Sequence, residues 1–194
     1  MTIDEMKNKL QTVLKPKRYI HSINVMNTAI ELAEKYNEDA HKAAIAGLLH
    51  DCAREIKGEA VFELCSKYSI KTDYVVMVQP DLLHGPIGSK IVPEEYGIND
   101  KAVLEAIRSH TTGCENMPLL SKIVFMADYI EPGRIFSGVN EVRNLAFKNI
   151  DDAMILALDR TVKFVIDRGF LVHSDTINAR NSIVYQRMKN KGSA

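Results

Sequence analysis

Apolar residues along this chain recur every three and four positions, the period of a helix, and almost nowhere in the alternation of a strand. The six prolines and ten glycines fall mostly between these segments, so the pattern predicts an all-α chain. Thr2 and Glu5 form a capping box opening a first helix that reaches about Leu14, and Pro16 opens a second that runs to about Tyr36. Asp39 caps a third, expected from Ala40 to about Ala53. Its AAIAGLL stretch is apolar on every side, which marks it as the central buried helix of a bundle. Further helices are expected at 59–68, 84–96, 100–110, 119–130, 140–147, 151–168 and 175–190. Val75, Val76 and Val78 are β-branched, but no second alternating run exists to pair with them, and a lone strand is unstable. The expectation is one domain over 1–194, a helical bundle of eight to ten helices, with 190–194 a disordered tail.

Composition narrows the classes of function. Twenty-five Lys plus Arg balance twenty-five Asp plus Glu, so bulk charge gives no reason to bind nucleic acid or an anionic membrane. The longest apolar run, Ala43 to Leu49, is far short of the ~18 to 20 residues that span a bilayer, and MTIDEMKNKL lacks a hydrophobic signal core. Cys52, Cys65 and Cys114 form no CxxC pair and no even disulfide set, which suits a reducing cytoplasm. Apolar surface for a homodimer is compatible with this composition, but no segment locates it.

The chemistry lies in where the histidines and aspartates fall. His21 shares a helical face with Val25, Thr28 and Leu32, at spacings of four, seven and eleven, so its ring points inward. His50 and Asp51 close the apolar third helix, and Asp128 follows the apolar run IVFMA. Charges delivered so close to a core need compensation. A cation held by His21, His50, Asp51 and Asp128 supplies it. Neighbours on a helix diverge by about 100°, so His50 and Asp51 flank one ion only beyond the helix end, a geometry that also suits a carboxylate bridging two ions. His84 in DLLHG and His110 in IRSHTTG, both at helix ends, fit the same pocket, and Gly85 lets a bulky ligand approach the backbone. Each residue alone has a plainer role. A single histidine on an apolar stripe is commonly a hydrogen-bonded core residue, and Asp128 could cap the EPGR turn. The set carries the argument, because no adjacent arginine or lysine neutralises all of its members.

The order His21, His50-Asp51, Asp128 resembles the HD-domain phosphohydrolase superfamily, whose motif lies on an all-helical bundle. RYIHS at 18–22, LLHDCARE at 48–55, DLLHG at 81–85, IRSHTTG at 107–113, ADYIEPGR at 127–134 and HSDTINARN at 173–181 are similar to its bacterial YqeK branch, the symmetrical bis(5'-nucleosyl)-tetraphosphatase group. Ser174 departs from the pattern, standing where that branch carries proline. The resemblance implies an HD-type bundle that holds iron, or manganese or magnesium, on His21, His50, Asp51 and Asp128, with His84 and His110 facing phosphates or a second ion. It also implies cleavage of diadenosine tetraphosphate into two ADP. Substrate contacts fall among Arg18, Asp81, His84, Gly85, His110, Thr111, Asp128, Arg134, His173, Asp175, Thr176 and Arg180.

A bound cation lowers the pKa of water from ~15.7 toward ~7, giving hydroxide for in-line attack on phosphorus. Asp51 would orient that water, and His84 or His110 would bind a phosphate oxygen or protonate the leaving group, so Asp51, His84 and His110 are the catalytic candidates. Arg134 is the leading phosphate donor because the preceding glycine frees the backbone, whereas Arg54 and Glu55 are assigned to a solvated face, with Arg54 a remote phosphate candidate. Asp175 and Thr176 form a helix start, which also binds phosphate. Two other readings are a nucleotidase or cyclic-dinucleotide phosphodiesterase of the same fold, and a nucleotide-binding metal sensor without turnover.

Overall fold

Local capping chemistry sets most of the helix starts. The Thr2 hydroxyl accepts from the Glu5 amide while the Glu5 carboxylate accepts from the Thr2 amide, which starts α1 (Ile3–Val13). Asp39, Asp73, Asp100 and Asn149 each accept from one or two first-turn amides, a contribution of about 1 kcal/mol apiece. The computed structural model describes residues 1–192 and contains no strand among them. After α1 come α2 (Pro16–Tyr36), α3 (Ala40–Leu49), α4 (Glu59–Lys67), α5 (Tyr74–Val78), a 3-10 turn (Pro80–Leu83) and α6 (His84–Tyr96). The chain continues through α7 (Lys101–Ser109), α8 (Leu119–Ile130), α9 (Val139–Ala146), α10 (Ile150–Asp167) and α11 (Ser174–Gly192). None of these helices is long and apolar enough to cross a membrane.

Helix α3 is the axis of the bundle. Every residue from Ala43 to Leu49 is buried, and α2, α7 and α8 pack around it. Gly47 sets how close α2 comes: a Cβ there would meet Met26 Cα at 3.0 Å and the Val25 carbonyl at 3.1 Å. The small residue therefore brings α3 against the α2 face that carries His21. As the spacing predicts, His21, Val25, Thr28 and Leu32 are all buried. A smaller cluster of Ala53, Val61, Cys65, Val76, Leu83 and Ile87 lies beside this core, under α4, α5 and the start of α6.

Three features differ from the sequence reading by more than one residue. The third helix stops at Leu49 rather than Ala53, because His50 Nδ1 donates to the Gly47 carbonyl at 2.7 Å and the chain turns there through Cys52 N to Leu49 O at 3.0 Å. The valines at 75, 76 and 78 form the short helix α5, since the Asp73 carboxylate takes both the Val75 and Val76 amides. This brings the helices among the described residues to eleven against the expected eight to ten. Helix α11 continues to Gly192, past the expected tail boundary at 190, and the last two residues of that tail, 193–194, lie outside the described residues.

Candidate metal centre

The early stop of α3 puts His50 and Asp51 in a turn just off the helix end, where neighbouring side chains can reach a common point. His21 arrives from α2, Asp128 from α8, His110 from the end of α7 and His84 from the start of α6. Donor atoms of three overlapping sets lie within 4.8 Å of one another: His21, His50 and Asp51; His50, His110 and Asp128; Asp51, His84 and His110. All six sequence-predicted ligands are thus brought together.

Hydrogen bonds behind the rings decide which nitrogens face inward. Nδ1 of His50 and of His110 each donate to a backbone carbonyl, Gly47 O and Ile107 O, at 2.7 Å, and His84 Nδ1 donates to Asp81 O. His21 Nδ1 donates to Glu131 Oε1 at 3.1 Å. A carbonyl only accepts, so the Nδ1 proton is fixed and a neutral ring turns its Nε2 lone pair to the centre. His84 Nε2 and His110 Nε2 lie 2.9 Å apart, a repulsive approach for two lone pairs unless a cation or proton sits between them. The buried Nε2 atoms of His21 and His50 make no well-aligned hydrogen bond, although carboxylate oxygens lie close to both. The donor set, imidazole and carboxylate without thiolate, therefore fits a divalent cation.

Asp51 divides the cluster. Its Oδ2 lies 3.3 Å from His50 Nε2 and 3.8 Å from His21 Nε2, while Oδ1 lies 3.0 Å from His84 Nε2 and 3.8 Å from His110 Nε2. Asp128 Oδ1 is 2.9 Å from His21 Nε2. Burial opposes charge on both carboxylates, yet the facing imidazoles hold Asp51 and Asp128 well below the ordinary carboxylate range. Burial also lowers the His50 pKa, but Asp51 and Asp128 outweigh it and the net shift is upward. For His110, burial and the His84 and His50 rings lower the pKa to about 3, so this ring is neutral at neutral pH.

Cations do reach this cluster, contrary to the expectation from adjacent residues alone. Arg18 Nη1 donates to Asp51 Oδ2 at 2.9 Å, and Arg134 bonds both Asp128 Oδ1 and the Asp128 carbonyl. Both arginines line the cleft with Asp81, Leu82, Thr111 and Arg54. Arg54 is partly exposed yet borders the cleft: it donates to Asp81 O at 3.1 Å and lies 3.2 Å from His84 Nδ1. The Thr111 hydroxyl is 3.0 Å from His110 Nε2. Gly85 serves packing rather than ligand approach, because a Cβ there would meet the Arg108 carbonyl at 2.9 Å and the Ile107 carbonyl at 3.1 Å. The absent side chain lets α6 and α7 touch, which brings His84 beside His110. His173 and Asp175 border a neighbouring cavity that meets the cleft at Leu82, Thr176 is buried in the first turn of α11, and Arg180 pairs with Asp159 at 2.8 Å. None of these four joins the ligand cluster.

Glu131 was missed. It is buried, accepts from His21 Nδ1, from Asn24 Nδ2 at 2.9 Å and from the Gly133 amide, and so fixes both the His21 ring and the EPGR turn. The signal was its spacing of three from Asp128, which puts the two acids on one face at the end of an apolar helix.

A helical bundle that delivers an adjacent His-Asp pair into a ring of imidazoles is the architecture of HD-domain proteins, and the HD-domain family pattern matches residues 18–133. The chain belongs to the HD-domain family, in the branch of the symmetrical bis(5'-nucleosyl)-tetraphosphatases. It is 38% identical over 187 residues to "Bis(5'-nucleosyl)-tetraphosphatase, symmetrical" of Staphylococcus aureus, covering 95% of this chain and 96% of the relative. The Bacillus subtilis protein of the same name is 40% identical, covering 86% of this chain and 89% of its own length. A crystal structure from Clostridium acetobutylicum, described as a predicted HD superfamily hydrolase involved in NAD metabolism, superposes with a TM-score of 0.93 at 45% identity, covering 96% of this chain and 98% of that one. These relatives do not favour the nucleotidase, cyclic-dinucleotide or sensor readings.

Proposed function

We infer that this chain is a metal-dependent hydrolase that cleaves bis(5'-nucleosyl) tetraphosphates between the central phosphates, converting diadenosine tetraphosphate and water into two ADP. The observation that carries this reading is the turning of both Asp51 oxygens to different imidazole pairs in a cleft edged by three arginines. His21, His50, Asp51 and Asp128 would hold one divalent cation, and Asp51 with His84 and His110 a second. Bound there, such cations lower the pKa of water and polarise phosphoryl oxygens. Iron is our choice of metal and the cytoplasm our choice of compartment, where the three free cysteines stay reduced.

The chain's own residues supply the rest. Arg18, Arg54 and Arg134 line the cleft as donors for the tetraphosphate, and on substrate binding Arg18 and Arg134 exchange carboxylate oxygens for phosphate oxygens. Attack of water on a central phosphorus breaks the bridging P–O bond and releases one proton. The leaving nucleoside diphosphate carries a terminal phosphate with a pKa near ~6, so it departs without a protein proton donor. His110, neutral and tied at Nδ1, therefore works as a ligand rather than a general acid. Incubating the purified protein with diadenosine tetraphosphate and iron, manganese or magnesium should yield ADP alone. AMP with ATP, or no turnover with any of these ions, overturns the assignment.

A further inference from the structure

A substrate with two nucleosides and a central scissile bond must place a nucleoside on each side of the ions. A cavity of about 770 Å³ shares Asp128 and Arg134 with the metal cleft and runs from there between the end of α8, the start of α9 and the middle of α10. Its walls carry three aromatic rings, Tyr129, Phe136 and Phe164. Phe136 is 42% exposed and Phe164 53%, so two phenyl rings stay in water although covering each fully would contribute roughly 1.5 to 3 kcal/mol.

The rings are held in place. Tyr129 meets Phe136 edge to face, with centroids 5.3 Å apart and planes at 90°. The Arg168 guanidinium sits 4.5 Å from the Phe164 centroid. Arg160 donates to the Gly138 carbonyl at 2.7 Å and pairs with Glu141, which anchors the loop that carries Phe136 to α10.

We propose that this cavity is the subsite for one nucleobase of the dinucleotide, held by stacking on Phe136 and Phe164 while Arg134 takes the adjoining phosphate. The proposal rests on the tetraphosphatase reading for its ligand, and on the cavity alone for its geometry. Thr161 is engaged with the Tyr129 hydroxyl, which leaves the Ser137 hydroxyl, able both to donate and to accept, as the uncommitted side-chain group lining it. The base is therefore gripped by its π-face rather than read at its edge, and adenine and guanine dinucleotides bind alike.

The chain contains no tryptophan, so Phe164→Trp introduces a single indole reporter. Titrating this variant with diadenosine tetraphosphate in the absence of metal ions, where no turnover occurs, should quench its fluorescence saturably. With metal ions present, Phe164→Ala should raise the KM for the dinucleotide on the order of tenfold, the worth of one base–aromatic stack. Phe170→Ala, an exposed ring outside the cavity, should leave KM unchanged. Unquenched fluorescence together with an unchanged Phe164→Ala KM overturns the subsite. If the wild-type protein releases no ADP, the activity assignment fails instead, and the metal-free titration still decides whether a nucleobase enters here.

Discussion

His50 and His84 face the same Asp51 carboxylate from two differently built regions. His50 stands at the end of α3 inside the main core, where Leu48 and Leu49 are completely buried and the ring is pinned to Gly47 of its own helix. His84 stands over the small cluster of six buried residues, beside α5, whose Tyr74, Met77 and Val78 are 74%, 56% and 69% exposed. The Asp81 segment behind His84 is held by ion pairs to Lys57 and Arg54 at the surface, which contribute little in water. The candidate ligands His21, His50 and Asp51 are therefore held among buried residues, while the His84 wall rests on a smaller core. The smaller core under His84 predicts that this wall has the lower local stability of the two.

The largest test of this contrast lies in the two aspartates. Asp51→Ala should abolish ion binding and lower turnover by about 10³-fold or more, with helicity by circular dichroism retained. Asp81→Ala removes only exposed ion pairs and should cost a few-fold. Comparable losses would mean that the two walls are equally integral to the chemistry. Next in size is stability. Leu49→Ala and Leu83→Ala both delete fully buried leucines, and such changes cost about 2 to 5 kcal/mol. The first should fall at the upper end and the second at the lower, measured as urea midpoints at constant slope, because the small cluster collapses around a cavity more readily. Equal values would erase the distinction.

Much of the rigid half was legible in the sequence. Helical spacing put His21 inward, and the apolar third helix put His50 and Asp51 at the core. These are consequences of periodicity, which close packing enforces. The other half was read less well because it depends on contacts between distant segments. Nothing local to DLLHG shows that Gly85 is small in order to meet the α7 backbone, or that Arg54 reaches Asp81 instead of water. The strand-like valines became α5 through a single capping aspartate. Glu131 was overlooked because the proline and glycine after it read as a turn, which hid its role behind His21.

Glu131 gives an intermediate effect within the rigid half. Glu131→Gln keeps the size of the side chain but removes the charge behind His21 Nδ1, and loss of such outer support weakens ion affinity about 10- to 100-fold. Chelator competition measures this without turnover. An unchanged affinity would show that packing alone orients His21.

The smallest effect separates the two histidines most buried at the centre. In the metal-free protein His110 is depressed to about 3 while His50 is raised. An unfolded histidine takes up a proton below about pH 6.5, where folded His110 does not, so stability should fall as pH drops from 6.5 toward 3. Raised His50 acts in the other window: it keeps its proton above 6.5 after the unfolded chain has lost one, so its contribution is complete below 6.5 and is lost as pH rises through its folded value. Together they place the stability maximum of the metal-free protein near the ordinary histidine pKa. His110→Gln should flatten the acid limb of a melting-temperature profile, and His50→Gln the alkaline limb. A bound cation excludes the proton from both rings, so saturating metal should steepen the acid limb as protons displace the ion, and remove the alkaline one. A metal-free profile that rises steadily through pH 6.5 would show that Asp51 and Asp128 do not hold the His50 proton, and the centre would then be electrostatically looser than its packing indicates.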